Sequence, residues 1–161
     1  MEVIMKIKGI VFEDFLNYKK PSLFIIFPYC NFKCDKDCGL KVCQNSSLAK
    51  EKEIEYSIDK IVNNYIENDI TKAIVCGGLE PMDSFDDLKE LVGAMRIKTN
   101  DDIVIYTGYR EEEIEDKAND LKQFANIIIK FGRYIPNDKE YYNDILGINL
   151  ASRNQYAKKI S

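Results

Sequence analysis

The sequence predicts an α/β fold in a single domain, with a mostly parallel sheet. Two observations support this prediction. Apolar runs of strand length alternate with amphipathic helical patterns, and glycine or proline breaks separate them. Strands that are joined through helices run parallel, with right-handed crossovers. The length, 161 residues, suits one domain.

The first half of the chain predicts two strands and a helix. Residues 3–12 alternate in the manner of a strand, and a turn signal at 17–21 separates them from an apolar strand at 23–27. Apolar side chains then recur at the spacing of one helical face from Ile58 to Ile66, which predicts an amphipathic helix that begins near Ser57.

The second half repeats the strand, loop and helix unit. The predicted strands are 73–76, 103–106, 126–131 and a last short strand at 145–150. One helix carries Phe85 to Met95, with Ser84 and Asp87 as its capping box, and another spans about 110–122. Because ligands bind at the carboxyl ends of parallel strands, the loops after these strands should converge on one binding edge.

Composition excludes several functions. The net charge is -4 and the basic residues form no stripe, so we expect no nucleic-acid partner. No apolar run reaches the roughly 20 residues that cross a bilayer, and the amino terminus lacks the apolar core of a signal peptide. We therefore expect a cytoplasmic protein without membrane contact. The absence of histidine excludes histidine bases and mixed Cys/His zinc sites within this chain.

Four cysteines, Cys30, Cys34, Cys38 and Cys43, lie within fourteen positions, and Cys76 is expected to be a buried hydrophobe. In a reducing compartment this density favours metal ligation over disulfides. The gaps of three, three and four residues contain no two-residue pair of the zinc-knuckle type. They favour a polynuclear iron-sulfur cluster, with a non-catalytic four-cysteine module, zinc or iron-sulfur, as the alternative.

Several ordered motifs resemble the radical S-adenosylmethionine enzymes, specifically the activating proteins of anaerobic ribonucleotide reductases. The matching segments are the cysteine loop at 27–34 with 43–45, the Gly-Gly-Leu-Glu-Pro loop at 77–81, the strand and turn at 105–109, the ending at 152–155 and the opening segment at 12–17. The resemblance runs almost end to end and implies an open, partial β/α barrel. Leu79 interrupts the usual Gly-Gly-Glu-Pro pattern, and residues 17–20 replace a glycine-rich turn.

The resemblance implies a [4Fe-4S] cluster held by three thiolates, those of Cys30, Cys34 and a third cysteine. We favour Cys43 as the third ligand, because an apolar residue precedes it and Gln44 and Asn45 follow it, as in the family. The family's usual spacing is three residues and then two, so Cys38 remains the alternative third ligand.

The resemblance also implies a site for S-adenosylmethionine. Gly77, Gly78 and Glu80 would shape the strand edge that receives the methionine amino group, where missing side chains allow close backbone approach. Thr107 would line the ribose or carboxylate side, with a plain strand-end turn as the alternative. Asn45 would hold the cysteine loop through side-chain hydrogen bonds to its backbone.

The implied reaction is reductive cleavage of S-adenosylmethionine to methionine and a 5'-deoxyadenosyl radical, with the cofactor carrying the chemistry. The implied partner is the catalytic subunit of anaerobic ribonucleotide reductase, on which the radical would create a glycyl radical. Flavodoxin or ferredoxin would supply the electron. Action on another peptide or on a small molecule is the alternative within the same chemistry.

Overall fold

The protein is built around a mixed sheet with helices packed against one of its faces. A computed structural model describes residues 2–39 and 46–161. The strands are β1 (Ile4–Ile7), β2 (Gly9–Asp14), β3 (Ser22–Phe27), β4 (Ile54–Ser57), β5 (Ala73–Gly78), β6 (Asp102–Tyr106), β7 (Ile127–Phe131), β8 (Tyr141–Asn143), β9 (Ile148–Leu150) and β10 (Tyr156–Lys159). The α-helices are α1 (Lys33–Cys38), α2 (Ile58–Glu67), α3 (Phe85–Lys98) and α4 (Glu115–Leu121), and 3-10 turns span Ser46–Lys50, Pro81–Ser84 and Glu111–Glu113.

The main sheet has six strands in the order β10-β7-β6-β5-β3-β2. The four central strands, β7, β6, β5 and β3, run parallel to one another. The two edge strands are antiparallel to their neighbours. β1 with β4 and β8 with β9 form separate antiparallel pairs. The carboxyl ends of β3, β5, β6 and β7 therefore meet at one edge of the sheet.

The helices cover one face of this sheet. Alternate residues of each central strand point to that face. They form the larger core cluster together with the apolar stripes of α2, α3 and α4. The α2 stripe follows the predicted spacing, and its helix begins at Ser57, whose hydroxyl accepts a hydrogen bond from the backbone N–H of Lys60 at 3.4 Å. Cys76 is fully buried in this core, as predicted.

The opposite face is covered only in part. Its amino-terminal half carries Ala73, Val75, Val104 and Ile128, which belong to a second cluster with Tyr18, Leu146 and Leu150. The last two residues lie at the turn and the second strand of the β8-β9 hairpin. The hairpin and the turn before β3 thus close the lower part of this face.

Three expectations for the secondary structure were wrong. Residues 3–12 form two strands in different sheets: β1 pairs with β4, and β2 pairs with β3. The change of partner occurs at Lys8, whose N–H donates a hydrogen bond to the carbonyl of Ile26 at 2.8 Å. Ser84 makes no capping hydrogen bond, since a 3-10 turn that begins at Pro81 already leads into α3. The strand within 145–150 covers only Ile148–Leu150 and is not the last, because β10 follows it.

Within the described part of the chain, no helix combines the length and the apolar character that crossing a bilayer requires.

Candidate functional site

A cavity of about 540 Å³ lies at the carboxyl ends of the parallel strands. We call it the strand-end cavity. Six of the residues predicted from the sequence line it: Cys30, Cys34, Gly77, Gly78, Glu80 and Thr107. Its volume is in the range of small-molecule sites, about 300–1,000 Å³. The structure thus brings these residues together, as the convergence of loops predicts.

Three predicted residues cannot be compared with this cavity. Cys43 and Asn45 lie outside the described residues, and the description of Cys38 covers its place at the end of α1 but not its side chain. The choice between Cys43 and Cys38 as third ligand therefore stays a prediction.

The first two cysteines lie on a tight local structure after β3. Phe32 adopts a left-handed conformation, with φ 56°, and α1 begins at the next residue. The N–H of Phe32 points at the Cys30 sulfur, 3.2 Å away, and the Asn31 side-chain oxygen accepts a hydrogen bond from the N–H of Lys33 at 3.1 Å. Both thiols are partly exposed. The segment therefore presents two cysteines to the cavity, Cys30 from the loop after β3 and Cys34 from the first turn of α1.

Gly108 lies beside the second thiol. A Cβ atom at this position would lie 3.6 Å from Cys34 Sγ and 3.6 Å from Glu80 Oε1. These distances are ordinary van der Waals contacts, so the loop after β6 lies directly against the cysteine segment and Glu80.

Glu80 ties this loop to the others. Its carboxylate is buried, and its Oε1 accepts hydrogen bonds from the Lys33 ammonium and from the Gly108 N–H, both at 2.8 Å. Its Oε2 accepts from the Met82 N–H at 3.1 Å. Glu80 thus acts as a clamp between the cysteine segment and two strand-end loops, and little of its acceptor capacity remains for a ligand.

A second set of contacts lies around Tyr109. Its hydroxyl donates to an Asp83 carboxylate oxygen, and its ring lies 4.1 Å from the Lys33 nitrogen. The same carboxylate accepts from the Asn31 N–H at 3.2 Å. The loops that follow β3, β5 and β6 are therefore joined by one polar network beneath the cysteines, and such networks hold side chains in a single arrangement when they are satisfied.

Helix α1 is also held on its outer side. Asp37 forms ion pairs with Arg133, which follows β7, and with Arg110 at 3.5 Å. Arg133 also binds Glu113 through both of its terminal nitrogens. These hydrogen bonds to Arg133 hold the pKa of Glu113 at about 2. A fourth strand end thereby contacts the cysteine segment.

Lys130 lies in the wall of the cavity opposite its register partner Tyr106. It is 6% exposed, and its ammonium donates to the Gly132 carbonyl at 3.1 Å. Among the described residues it has no carboxylate within ion-pair distance. Burial lowers the pKa of Lys130 to about 8, although Glu80 and Cys34 oppose that shift. Since buried charges are normally paired, this ammonium is suited to an anionic ligand.

The electrostatics of the first thiol reflect its partial burial. Burial raises the pKa of Cys30 above its ordinary value, while the Phe32 N–H and the Lys33 charge oppose this rise. For Lys33, burial is the largest single effect and acts downward, but the Glu80 carboxylate, together with Cys30 and Asp83, raises the pKa overall. The lysine therefore carries its charge next to the sulfur.

Sequence reasoning missed Lys33, Tyr109 and Lys130 as parts of this site. For Lys130 a signal existed, because a charged residue lies between three isoleucines and a phenylalanine in a predicted strand. Lys33 gave no comparable signal, since a single lysine in a short loop segment is usually solvated.

The donor set fits an iron-sulfur group. Thiolates are the usual ligands of such clusters. The two cysteines that the structure describes at this site both line the cavity, and Gly108 lines it beside Cys34.

Comparison with known proteins gives one match. A family model described as a 4Fe-4S single cluster domain matches residues 20–156, which is most of the chain. No curated protein and no solved structure shows a significant match.

Proposed function

Because the chain belongs to the 4Fe-4S single cluster domain family, we propose that it is a radical S-adenosylmethionine enzyme. One observation carries this proposal. The two cysteines, the glycine loop at the end of β5 and Lys130, a buried lysine with no carboxylate partner among the described residues, all line the same cavity. A cluster that only carries electrons needs no such adjoining cavity, whereas a cluster that binds a small molecule does.

Cys30 and Cys34 would hold the cluster together with a third thiolate, which we assign to Cys43, with Cys38 as the alternative. When bound, the cluster would supply the electron that cleaves S-adenosylmethionine into methionine and a 5'-deoxyadenosyl radical. The protein's own task is then to bind, orient and shield the cofactor and its ligand.

The residues of the cavity wall have distinct roles in this proposal. Gly77 and Gly78, at the end of β5, would shape the edge that receives the amino group of S-adenosylmethionine. The Lys130 ammonium offers a countercharge for a carboxylate. Thr107 would line the ribose or carboxylate side, and Asn45 would hold the cysteine loop. Glu80 supports this arrangement through its bonds to Lys33 and Gly108, more than by contact with the ligand.

We also propose that the sheet is the open, partial β/α barrel of radical S-adenosylmethionine enzymes. Its four parallel central strands and the cavity at their carboxyl ends support this assignment. The motifs at 77–81, 105–109 and 152–155 support the activating proteins of anaerobic ribonucleotide reductases as the nearest type. The substrate would be a glycine of the reductase catalytic subunit, and flavodoxin or ferredoxin would be the electron donor.

Anaerobic reconstitution tests the chemistry and the ligand set together. Iron and sulfide content and reductive cleavage of S-adenosylmethionine are measured for the wild type, Cys38→Ala and Cys43→Ala. We expect cleavage by the wild type and by Cys38→Ala and none by Cys43→Ala. The reverse pattern for the two variants would make Cys38 the third ligand. A reconstituted wild type that keeps its cluster but never cleaves the cofactor would reduce the protein to a non-catalytic iron-sulfur module.

The partner is tested separately, by electron paramagnetic resonance on a co-expressed anaerobic ribonucleotide reductase. The expected result is a glycyl radical signal that requires Cys30. If 5'-deoxyadenosine forms while this signal never appears, the enzyme acts on another peptide or on a small molecule.

A further inference from the structure

Lys33 contacts both the clamp of the site and one of its sulfur atoms. Its ammonium lies 2.8 Å from Glu80 Oε1 and 3.8 Å from Cys30 Sγ. We propose that Lys33 is a positioning residue that raises the reduction potential of the cluster through Cys30, and that Glu80 opposes it. The inference rests on the part of the proposed function that makes Cys30 a cluster ligand.

The position of the lysine is determined from several sides. Its side chain is 5% exposed and that of Glu80 is 3% exposed. The Tyr109 ring covers the ammonium at 4.1 Å. Lysine is almost never buried to this degree without a partner. Its partner here is Glu80, whose carboxylate is in turn held by the backbone N–H groups of Gly108 and Met82. A freely moving side chain would not keep its charge at one distance from a sulfur atom.

This charge should act on the cluster for two reasons. Hydrogen bonds to cluster sulfurs and the net charge around them are established determinants of reduction potential. Reduction adds a negative charge, which a nearby ammonium stabilises and a nearby carboxylate destabilises. Solvent screens a buried pair much less than an exposed one. Lys33, which reaches the Cys30 sulfur directly, should therefore raise the potential, and Glu80 should lower it.

The test is a potentiometric titration of the reconstituted protein without S-adenosylmethionine, for Lys33→Met, Glu80→Gln and Lys33→Arg. Methionine keeps the length and the packing of the lysine chain but removes the charge, and glutamine keeps the shape of the glutamate. We expect a lower midpoint potential in Lys33→Met, a higher one in Glu80→Gln and a value near that of the wild type in Lys33→Arg. Lys36→Met, which removes an exposed lysine from the same helix, is the matched control and should leave the potential unchanged.

Opposite shifts would support the inference, because a purely structural ion pair would affect cluster retention in both variants without moving the potential in two directions. Unchanged potentials, or shifts of the same sign, would overturn it. If Lys33→Met retains no cluster, Glu80→Gln decides alone: an upward shift supports the inference and any other result rejects it. The potentials are measured without S-adenosylmethionine. If the wild type failed to cleave S-adenosylmethionine, the proposed enzymatic function would be rejected, but the conclusion about Lys33 and the potential would not change.

Discussion

The two faces of the parallel sheet differ in what their strands carry. Towards the helices, the central strands present apolar residues along their whole length. On the other face only the amino-terminal half is apolar, and the carboxyl-terminal half presents Gly77, Tyr106 and Lys130 to the strand-end cavity. The register supports this division, since Tyr106 is opposite Lys130 and Val104 is opposite Ile128.

The difference separates stability from function. Burial of the helix-covered face removes apolar surface from water, at about 25 cal/mol per Å². The cavity half instead contains the buried Lys130 ammonium, which has no carboxylate partner in the part of the chain that the structure describes, and glycines where side chains would otherwise pack. Substitutions on the first face should therefore change stability alone, whereas those on the second should change ligand binding as well as stability.

The largest contrast is expected between two cysteines. Cys30→Ala should abolish cluster binding, whereas Cys76→Ala should leave it intact and lower the free energy of unfolding by about 1 kcal/mol, the cost of a small buried void. Burial raises the pKa of the Cys76 thiol to about 12, so this sulfur is inert. Iron content after anaerobic reconstitution and chemical unfolding measure the two effects. A Cys76→Ala variant without iron would contradict the division between the faces.

Lys130→Met should separate binding from stability. The variant should lose binding of S-adenosylmethionine, yet its apoprotein should be more stable at pH 7, on the order of 3 kcal/mol at most, from the depressed lysine pKa. Below pH 8 the Lys130 side chain is charged in both the folded and the unfolded protein, and burial makes this charge unfavourable in the folded state. Above pH 8 the folded protein loses the Lys130 proton while the unfolded chain keeps it. The free energy of unfolding of the wild type should therefore rise between pH 8 and pH 10.5.

Denaturant titrations of the two apoproteins across this pH range, together with equilibrium binding of S-adenosylmethionine to the reconstituted proteins, check this prediction. Equal pH dependence in both would mean that Lys130 is not the group responsible.

Two glycines provide a further contrast. At Gly78, where φ is 82°, an added Cβ would lie 2.5 Å from Ile26 Cγ2. Gly78→Ala should therefore cost at least about 2 kcal/mol of stability and distort the cavity wall. At Gly93 in α3, the neighbour that an added Cβ would meet among the described residues is the Phe124 ring, at an ordinary 3.7 Å, so Gly93→Ala should stabilise the protein by about 0.5–1 kcal/mol. Thermal unfolding of both variants, compared with the wild type, measures the two changes in stability. An unchanged stability of Gly78→Ala would show that the loop relaxes around the added side chain.

The smallest effect is expected for Glu113, which binds Arg133 and so supports the outer side of α1. Its folded pKa of about 2 lies below its ordinary 4.5, so its contribution is complete above pH 4.5 and declines as the pH falls toward 2. Glu113→Gln should remove this part of the acid dependence and leave stability at pH 7 only slightly lower. Acid titrations of both proteins at matched ionic strength would detect it.

The helix-covered face is the part that the sequence predicts best. Strands β3, β5, β6 and β7 and helix α2 appear close to the expected positions, because their apolar patterns report burial directly. For the other face, the sequence located the glycine loops and the cysteines, whose residue types are rare and chemically specific.

The remaining features depend on tertiary contacts. Lys33 and Glu80 are 47 positions apart, and neither pattern nor propensity indicates that they form a buried pair. The sequence did not predict β10 for a similar reason. Its residues are mostly exposed and show no apolar pattern, and the strand forms by pairing with β7.

The central claim is that a cluster and S-adenosylmethionine meet in the strand-end cavity. The most direct measurement is the electron paramagnetic resonance spectrum of the reduced, reconstituted protein with and without S-adenosylmethionine. We predict that the cofactor changes the spectrum of the wild type and has a much weaker effect in Lys130→Met. A wild-type spectrum that stays the same at saturating S-adenosylmethionine would contradict the claim.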